Sequence, residues 1–407
     1  MKNRLLVLFM LMLLIALTGC TSFSNDNTLI AAPVSTATPT ATPTSVPTAT
    51  PTATPTPIPT PVPTPEPEIA TGEVLKYEVI SGTNGTVYSN HVPTIASTLA
   101  PGATATPTAT PIPGGKIRIT GYTGSATSLF IPEEIDGYPV VSIGNSAFNS
   151  CAQLTSIVLP DTVTSIGNQA FTNCLSLTHI DIPESVTTIG NEAFSFCLSL
   201  TSVNMPKQVD SFGSGVFKYC LQLTEVSMPD GMNKLPGYTF QHCISLAAVY
   251  LPDTVTSIGD NAFEGCITMS TFTLPPKVSQ IGSYAFANCR ALPAIDFPEV
   301  LKSLGDHSFT NCSSLTTVHI PGRVNSLDLS VFNGCSSLCE IRIAYGIERL
   351  SFGLNDCPAL STIYLPSSIW HFGNAFSPIR SIVYYVLHDS YAERWCRQNS
   401  LTYEYVD

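Results

Sequence analysis

The chain has 407 residues, of which 44% are apolar and only 11% are charged, with 33 prolines and 13 cysteines. Its 17 Lys and Arg side chains against 29 Asp and Glu give a formal net charge of −12. A nucleic-acid binder needs a cationic surface, so this composition excludes that class of protein. The proline and cysteine content is unlike that of an average globular chain, so the sequence is best analysed segment by segment.

Residues 1–19 have the pattern of a secretory signal peptide. Two positive charges precede an unbroken apolar run over 5–17, which is too short to span a bilayer as a mature helix. The run ends in Leu17-Thr18-Gly19-Cys20, which resembles the bacterial lipobox, where the cysteine receives a diacylglycerol thioether. This resemblance implies export and a lipid anchor at Cys20, because more than one acyl chain anchors a protein stably.

Residues 20–67 are the predicted lipidated N-terminus and stalk. From Ala31 to Pro67 the chain is almost wholly Thr, Pro, Ala and Val. Such a segment cannot bury enough apolar surface to fold, and its prolines favour extended polyproline II. At about 3.1 Å per residue it would span on the order of 100 Å, enough to lift a domain off a membrane. A proline-rich ligand for a recognition domain is the alternative.

Residues 68–125 are predicted to form an N-terminal β cap. Within them, 74–80 and 116–120 alternate with the period of a half-buried strand. A second Thr/Pro tract over 100–113 lies between these runs, and such an insertion into a loop costs little closure entropy.

Residues 126–378 repeat themselves with a period of 23 residues. A representative unit, 152–174, reads AQLTSIVLPDTVTSIGNQAFTNC. The cysteines in register are Cys151, Cys174, Cys197, Cys220, Cys243, Cys266, Cys289, Cys312 and Cys335, followed after 22 residues by Cys357. A period of about 20 to 29 residues with this spacing predicts a leucine-rich-repeat solenoid, in which units bury their apolar faces only by stacking. The expected fold is a right-handed superhelix of about eleven units with parallel β-strands and short 3₁₀ or helical turns.

Each part of the unit has a predicted role. Ser156–Leu159 alternates as a strand, and Pro160 ends it because proline offers no N–H to a parallel neighbour. Val163–Gly167 is a second short extended segment, whose recurrent glycine suits either a positive φ or a crowded backbone. Ala170 and Phe171 fit a short helical or 3₁₀ turn that fills the core. The last segment, 379–407, is predicted to be a C-terminal cap with a short helix over 389–398.

The repeat pattern LxxIxLPxxVxxIGxxAFxxC resembles the BspA-type leucine-rich repeat family of bacterial and protist surface proteins. The resemblance runs over about 116–407, and 132–140 is similar to the longer first unit of that family. It implies a role in extracellular recognition or adhesion, and it carries over no catalytic residues.

The cysteine ladder allows three interpretations. A metal site is disfavoured, because one thiol per repeat in a line, without CxxC, does not close a tetrahedron. Disulfides between stacked turns are sterically possible. Buried free cysteines, which behave as small apolar side chains, are the favoured interpretation. Cys339 and Cys396 stand off the ladder and are candidates for exposed thiols.

Catalytic motifs are missing from the sequence: we find no GxSxG, HExxH, phosphate-binding loop or EF-hand loop. The seven histidines fall in different repeat slots, so no metal ligand set is expected. The sequence therefore predicts a protein that is not an enzyme and that needs no cofactor.

The outward slots of the strands are the candidate binding surface. Early repeats carry small polar residues there, whereas later repeats carry aromatic and charged side chains, the types most frequent at binding hot spots. The predicted ligand-binding residues are Tyr250, Asp296, His319, Glu340, Arg342, Tyr364 and Trp370. A solvated strand that tolerates any polar residue is the structural alternative for each of them.

These observations predict a monomeric, extracytoplasmic protein that is lipid-anchored to the bacterial membrane and exposed at the surface. Its partner would be an extracellular host or microbial protein or glycan. The alternative function is a structural or assembly role in the bacterial cell envelope.

Overall fold

The structure is a computed structural model that describes residues 74–81, 86–89, 113–351, 353–373, 379 and 381–406. The predicted signal peptide, Cys20, the Thr/Pro stalk and nearly all of the Thr/Pro insertion lie outside the described residues. No helix in the described part of the chain is long and apolar enough to cross a membrane.

The fold is a solenoid of parallel strands with about twelve turns at a spacing of about 23 residues, and it contains little helix. It confirms the predicted leucine-rich-repeat architecture. The sequence shows about eleven repeats, and the strand Lys116–Thr123 adds a further layer because it pairs in parallel with Tyr138–Ile143 of the first repeat.

Two columns of short strands run along the solenoid, and most turns contribute one strand to each column. The first column contains Ser128–Phe130, Ser156–Val158, His179–Asp181, Ser202–Asn204, Glu225–Ser227, Ala248–Tyr250, Thr317–Ile320, Glu340–Ile343, Thr362–Tyr364, Val383–Val386 and Tyr403–Tyr405. The second column contains Tyr138–Ile143, Ser165–Ile166, Thr188–Ile189, Ser211–Phe212, Lys234–Leu235, Ser257–Ile258, Gln280–Ile281, Ser303–Leu304, Ser326–Asp328, Arg349–Ser351 and His371–Phe372. The first column pairs as three groups of two strands and one group of five. The second begins with the cap and pairs as groups of eight, four and three.

The strand register places equivalent residues of successive repeats side by side. His179 pairs with Ser202, and Ile180 pairs with Val203, one repeat later. Ile180 is fully buried, whereas the residues on either side of it are partly or fully exposed. Because side chains alternate along a strand, this register lines up the inward Ile and Val residues as the core and leaves the flanking residues for solvent.

Both ends of the solenoid are covered. At the start, Val74–Ser81 pairs antiparallel with Lys116–Thr123 and with Thr86–Ser89, while the short strand Glu134–Ile135 pairs with Tyr138–Ile143. At the end, the helix Tyr391–Gln398 covers the last turns. Its N-cap is Ser390, whose Oγ accepts a hydrogen bond from Glu393 N at 3.0 Å. Trp395 of this helix packs on Phe372, with the ring centroids 4.4 Å apart.

A third column is formed by the turn segments between each second-column strand and its cysteine, such as 168–174. The backbone N–H of the turn phenylalanine donates to a carbonyl of the next turn at 2.7–3.0 Å in every repeat from Phe148 to Phe309. The rings of the nine turn phenylalanines stack face to face with centroids 5.1–5.8 Å apart. These fully buried residues are Phe148, Phe171, Phe194, Phe217, Phe240, Phe263, Phe286, Phe309 and Phe332. We call this continuous hydrogen-bonded stack the turn ladder.

The turns themselves are 3₁₀-like but rarely helical. Successive i to i+3 hydrogen bonds, such as Thr172 N to Gln169 O at 3.2 Å, alternate with left-handed residues such as Gln169 and Asn173. Within the described residues, only Leu329–Phe332 forms a regular 3₁₀ helix. The recurrent glycine lies outside the left-handed region. A Cβ on Gly190 would lie 2.5 Å from the backbone nitrogen of Asn168, so crowding explains the glycine.

All the cysteines in the described residues are free thiols. From Cys174 to Cys357, each ladder thiol donates a hydrogen bond from Sγ to the phenylalanine carbonyl of the preceding turn at 3.1–3.3 Å. The favoured interpretation of buried thiols agrees with this arrangement. Cys339 is half-buried and donates from Sγ to Thr316 O at 3.2 Å, as the threonine hydroxyl does in the same slot of other repeats. The expectation of an exposed Cys396 is wrong, because Cys396 lies on the buried face of the helix Tyr391–Gln398 and is fully buried.

We predict that this thiol ladder makes stability fall at alkaline pH. Burial raises the pKa of Cys357 to about 11 and the pKa of Cys151 to about 12, and it raises those of Cys220 and Cys266 as well. In the unfolded chain the thiols lose their protons above about pH 8.5, while the folded chain keeps them. The contribution of the thiols to the free energy of unfolding should therefore be constant below about pH 8.5, and the free energy of unfolding in urea should decrease as the pH rises from there toward 10.

The matched control for this prediction is a Cys243→Ala, Cys266→Ala protein, which should show a shallower decrease because it has two fewer thiols. The thiols should also react with an alkylating reagent after unfolding without prior reduction. A requirement for a reductant, or a free energy of unfolding that is independent of pH, would contradict the ladder of free thiols.

Candidate binding surface

The longest interruption of the first strand column lies in the middle of the candidate surface. After Ala248–Tyr250, residues 271–273 and 294–296 of the next two repeats form no strand, and pairing resumes only at Thr317–Ile320. The interruption begins where Phe272 takes the slot of the inward Ile or Val. Its larger ring packs edge-on between Phe263 and Phe286, at 5.0 and 5.2 Å. Extra side-chain volume at an inward position generally forces the backbone to shift, and residues 271–273 form no strand here.

Proline also removes one hydrogen bond between turns at the interruption. In earlier repeats a threonine N–H bonds to the preceding turn, as from Thr201 to Thr178 O at 2.9 Å. Pro293 occupies the same slot and has no N–H to donate. Farther along this segment, Phe297 packs edge-on against Phe309 at 5.5 Å. The sequence thus encodes an opening in the strand column, although the turn ladder behind it continues.

An open cavity of about 270 Å³ lies at this opening. It brings together four of the seven predicted binding residues, Asp296, His319, Glu340 and Arg342. The remaining lining residues are Ala294, Ile295, Phe297, Glu299, Thr317, Val318 and Pro321. The cavity therefore has an apolar floor and a charged rim.

Arg342 connects this cavity to two aromatic rings. Its Nε donates to Glu340 Oε1 at 2.6 Å and its guanidinium makes a second bond to Glu340 Oε2 at 3.2 Å, a bidentate pair. The hydrogen bond that Arg342 donates to the Glu340 carboxylate raises the pKa of Arg342, so the guanidinium stays charged. The guanidinium carbon Cζ of Arg342 lies 3.9 Å from the ring centroid of Tyr364. The Tyr364 ring in turn stacks on the Tyr385 ring, with the two centroids 4.6 Å apart. The result is a held cation next to two half-exposed rings.

The other two predicted residues lie elsewhere. Tyr250 is 56% exposed, but it sits two repeats before Asp296 in the same outward slot and does not line the cavity. Trp370 belongs to the second column. Its Nε1 donates to Glu348 Oε2 at 3.3 Å, and the guanidinium of Arg349 lies 5.1 Å from its ring.

Sequence reasoning missed two residues of this surface, Glu299 and Tyr385. Tyr385 occupies the same outward slot as Tyr364, to which it pairs in register, but the period shortens at the end of the array and hides the equivalence. Glu299 follows the strand position and lies outside the outward slots of the strand.

The sequence analysis also missed a separate row of stacked aromatic side chains in the turn segments. Phe196, Tyr219 and His242 stack at 4.6 and 4.9 Å. All three have left-handed backbones, a conformation in which bulky residues are strained, whereas Asn288 takes this slot in a later repeat. Aromatic residues spaced by one repeat were the available signal.

The chemistry offered by the cavity is non-covalent recognition through carboxylates, an imidazole, a guanidinium and aromatic rings. Across the described ranges, no group of three or more His, Cys, Asp and Glu side chains is placed to hold a metal ion.

Comparison with known proteins agrees with this architecture. The family model of the BspA type leucine rich repeat region, which comprises six copies, matches residues 141–270 and 256–383. The chain belongs to the BspA-type leucine-rich repeat family. No curated protein matches it.

Solved structures of leucine-rich repeat proteins resemble the BspA-type chain. A leucine-rich repeat protein from Bacteroides ovatus is 26% identical with a TM-score of 0.53, over 72% of this chain and 96% of that one. A leucine rich cell surface protein from Faecalibacterium prausnitzii is 29% identical with a TM-score of 0.41, over 70% of this chain and 93% of that one. The leucine rich repeat protein of T. pallidum is 36% identical with a TM-score of 0.42, over 44% of this chain and 83% of that one.

We predict that the Arg342 and Glu340 pair contributes little to stability. Both side chains lie on the solvent side of the strand, where an ion pair is worth less than about 1 kcal/mol. Arg342→Ala, Glu340→Gln and the double variant should therefore change the free energy of unfolding by no more than that, measured in urea as a double-mutant cycle. Ile341→Ala is the matched control between them, because its buried side chain should cost about 2–5 kcal/mol. Equal losses for Arg342→Ala and Ile341→Ala would show that the pair is structural.

Proposed function

We propose that this protein is a non-enzymatic binding protein of the bacterial cell surface that presents the first-column face of its later repeats to an extracellular protein or glycan. The family of the chain and the cell-surface name of its Faecalibacterium prausnitzii neighbour support the location. The observation that carries the proposal is the cavity at the interrupted strand column, where Asp296, His319, Glu340 and Arg342 meet.

The structure of the repeat supports a division between folding and binding. Inward residues such as Ile341 are buried and fix the stacking, whereas outward residues such as Arg342 touch only their neighbours on the same face. Outward residues can therefore vary without loss of the fold. The held guanidinium of Arg342 also lowers the entropy cost of binding, because its geometry is set before a ligand arrives.

Loss of the Arg342 and Tyr364 side chains should weaken binding without unfolding the protein. The full chain would first be tested on arrays of extracellular matrix proteins and glycans. For any partner found, an Arg342→Ala, Tyr364→Ala protein should bind at least about tenfold more weakly in equilibrium titrations, the scale of hot-spot truncations. Its melting temperature should stay nearly unchanged.

The control for this experiment is a Ser156→Ala, Ser202→Ala, Asn204→Ala protein, which changes the same face in early repeats and should bind normally. Loss of binding in this control but not in the first variant would place the site on the early repeats. An absence of array partners, together with co-purification of envelope components, would favour the structural role instead.

The second part of the proposal is the lipid anchor at Cys20, which rests on the lipobox-like sequence at 17–20. Cys20→Ala should move the protein from the washed membrane fraction to the soluble fraction of the producing cell, because the thioether-linked acyl chains would be lost. Fractionation followed by immunoblotting measures this distribution, with Cys339→Ala as the control that keeps the anchor. Retention of the Cys20→Ala protein in the membranes would refute the anchor.

A further inference from the structure

Two carboxylates at the cavity have partnered counterparts five repeats earlier in the same chain. Asp181 and Glu184 occupy the repeat positions of Asp296 and Glu299. Asp181 Oδ1 lies 2.8 Å from the imidazole Nε2 of His179 and accepts a hydrogen bond from Asn204 Nδ2 at 2.5 Å. Glu184 Oε2 accepts from the backbone N–H of Lys207 at 2.9 Å.

In the later repeat the equivalent carboxylates, Asp296 and Glu299, have no such partners in the described part of the chain. Among the residues that the structure describes, Asp296 and Glu299 receive no hydrogen bond and form no ion pair, although both line the cavity. Glu340 is already neutralised by Arg342. The cavity therefore carries two uncompensated negative charges, which attract a cation and favour a basic partner over a neutral one.

Part of the backbone around the cavity also has no strand partner among the described residues. The strand His179–Asp181 bonds to Ser202–Asn204, but residues 294–296 bond to neither adjacent turn within the described chain. The strand Thr317–Ile320 pairs only with Glu340–Ile343, so its other edge faces the opening. Thr316 N donates to Pro293 O at 3.2 Å and closes the base of the gap. Unpaired strand edges are the groups to which an extended peptide adds.

We propose that this cavity binds an extended peptide segment of a partner protein, through backbone hydrogen bonds to the unpaired edges and through one lysine or arginine side chain between Asp296 and Glu299. This inference rests on the proposed function and specifies the partner of the same site. A glycan would use the carboxylates as hydroxyl acceptors, but it would not match the backbone edges or the two uncompensated charges.

The probe for this inference is a library of N-acetylated pentapeptide amides with random flanking positions and one fixed central residue, tested for binding to the full chain. Pools with a central Lys or Arg should bind, and pools with a central Glu should not. An Asp296→Asn, Glu299→Gln protein should lose about tenfold or more in affinity for the bound pools, because charge-assisted hydrogen bonds are among the strong ones. Backbone N-methylation beside the central residue should weaken binding similarly, because it removes a donor.

The matched control is an Asp181→Asn, Glu184→Gln protein, which makes the same changes at the same repeat positions and should bind the pools like the unchanged chain. The inference is overturned if no pool binds better to the unchanged chain than to the Asp296→Asn, Glu299→Gln protein. It is also overturned if central Glu pools bind as well as central Lys pools, or if N-methylation has no effect. Partners on the protein and glycan arrays without peptide binding would refute only this inference, while failure of both experiments would refute the proposed function as well.

Discussion

The turn ladder is the interaction on which the other features of the fold depend. From Phe148 to Phe332 each ring stacks on the next, and each turn bonds to the following one through the phenylalanine N–H. The phenylalanine carbonyl accepts the thiol of a later cysteine, as Phe240 O does from Cys266 Sγ at 3.2 Å. One residue therefore supplies the ring, the donor and the acceptor that hold adjacent turns in register. The gaps in the two strand columns therefore leave the order of the stacked turns unchanged.

Both strand columns contain such gaps, and at two of them a proline replaces a residue whose N–H bonds to the preceding turn in other repeats. In the second column, pairing stops between Ser211–Phe212 and Lys234–Leu235. Pro236 there replaces the glycine whose N–H bonds to the preceding turn in other repeats, as Gly259 N does to Leu235 O at 2.8 Å. In the first column, Pro293 has the same effect. Because the turn ladder continues past both sites, a lost donor opens the surface locally and creates a cavity without ending the solenoid.

The period of the sequence was sufficient to predict the stacking, the buried thiols and the outward positions, because these depend on residues that recur every 23 positions. It could not predict which outward residues meet. Phe272 and Pro293 each satisfy the local pattern of an apolar or polar slot, and only the three-dimensional structure shows that strand pairing is missing where they lie. For the same reason Asp296 and Arg342 were correctly placed outward, whereas their shared cavity was not foreseen. Cys396 was misjudged because its burial depends on the helix packing on Phe372, outside the repeat pattern.

The pair of equivalent carboxylates shows how a repeat protein can gain a binding site at little cost to its fold. The carboxylate of Asp181 is engaged within the protein, because His179 and Asn204 both bond to it. Asp296 stands in the same slot, but the neighbouring strand edge has opened and its acceptors face solvent. The side chain itself is unchanged, and only its neighbours differ. In a solenoid whose alignment is held by the turns, changes on one strand face can thus convert an internal partner into a ligand-binding group while the buried stack stays the same.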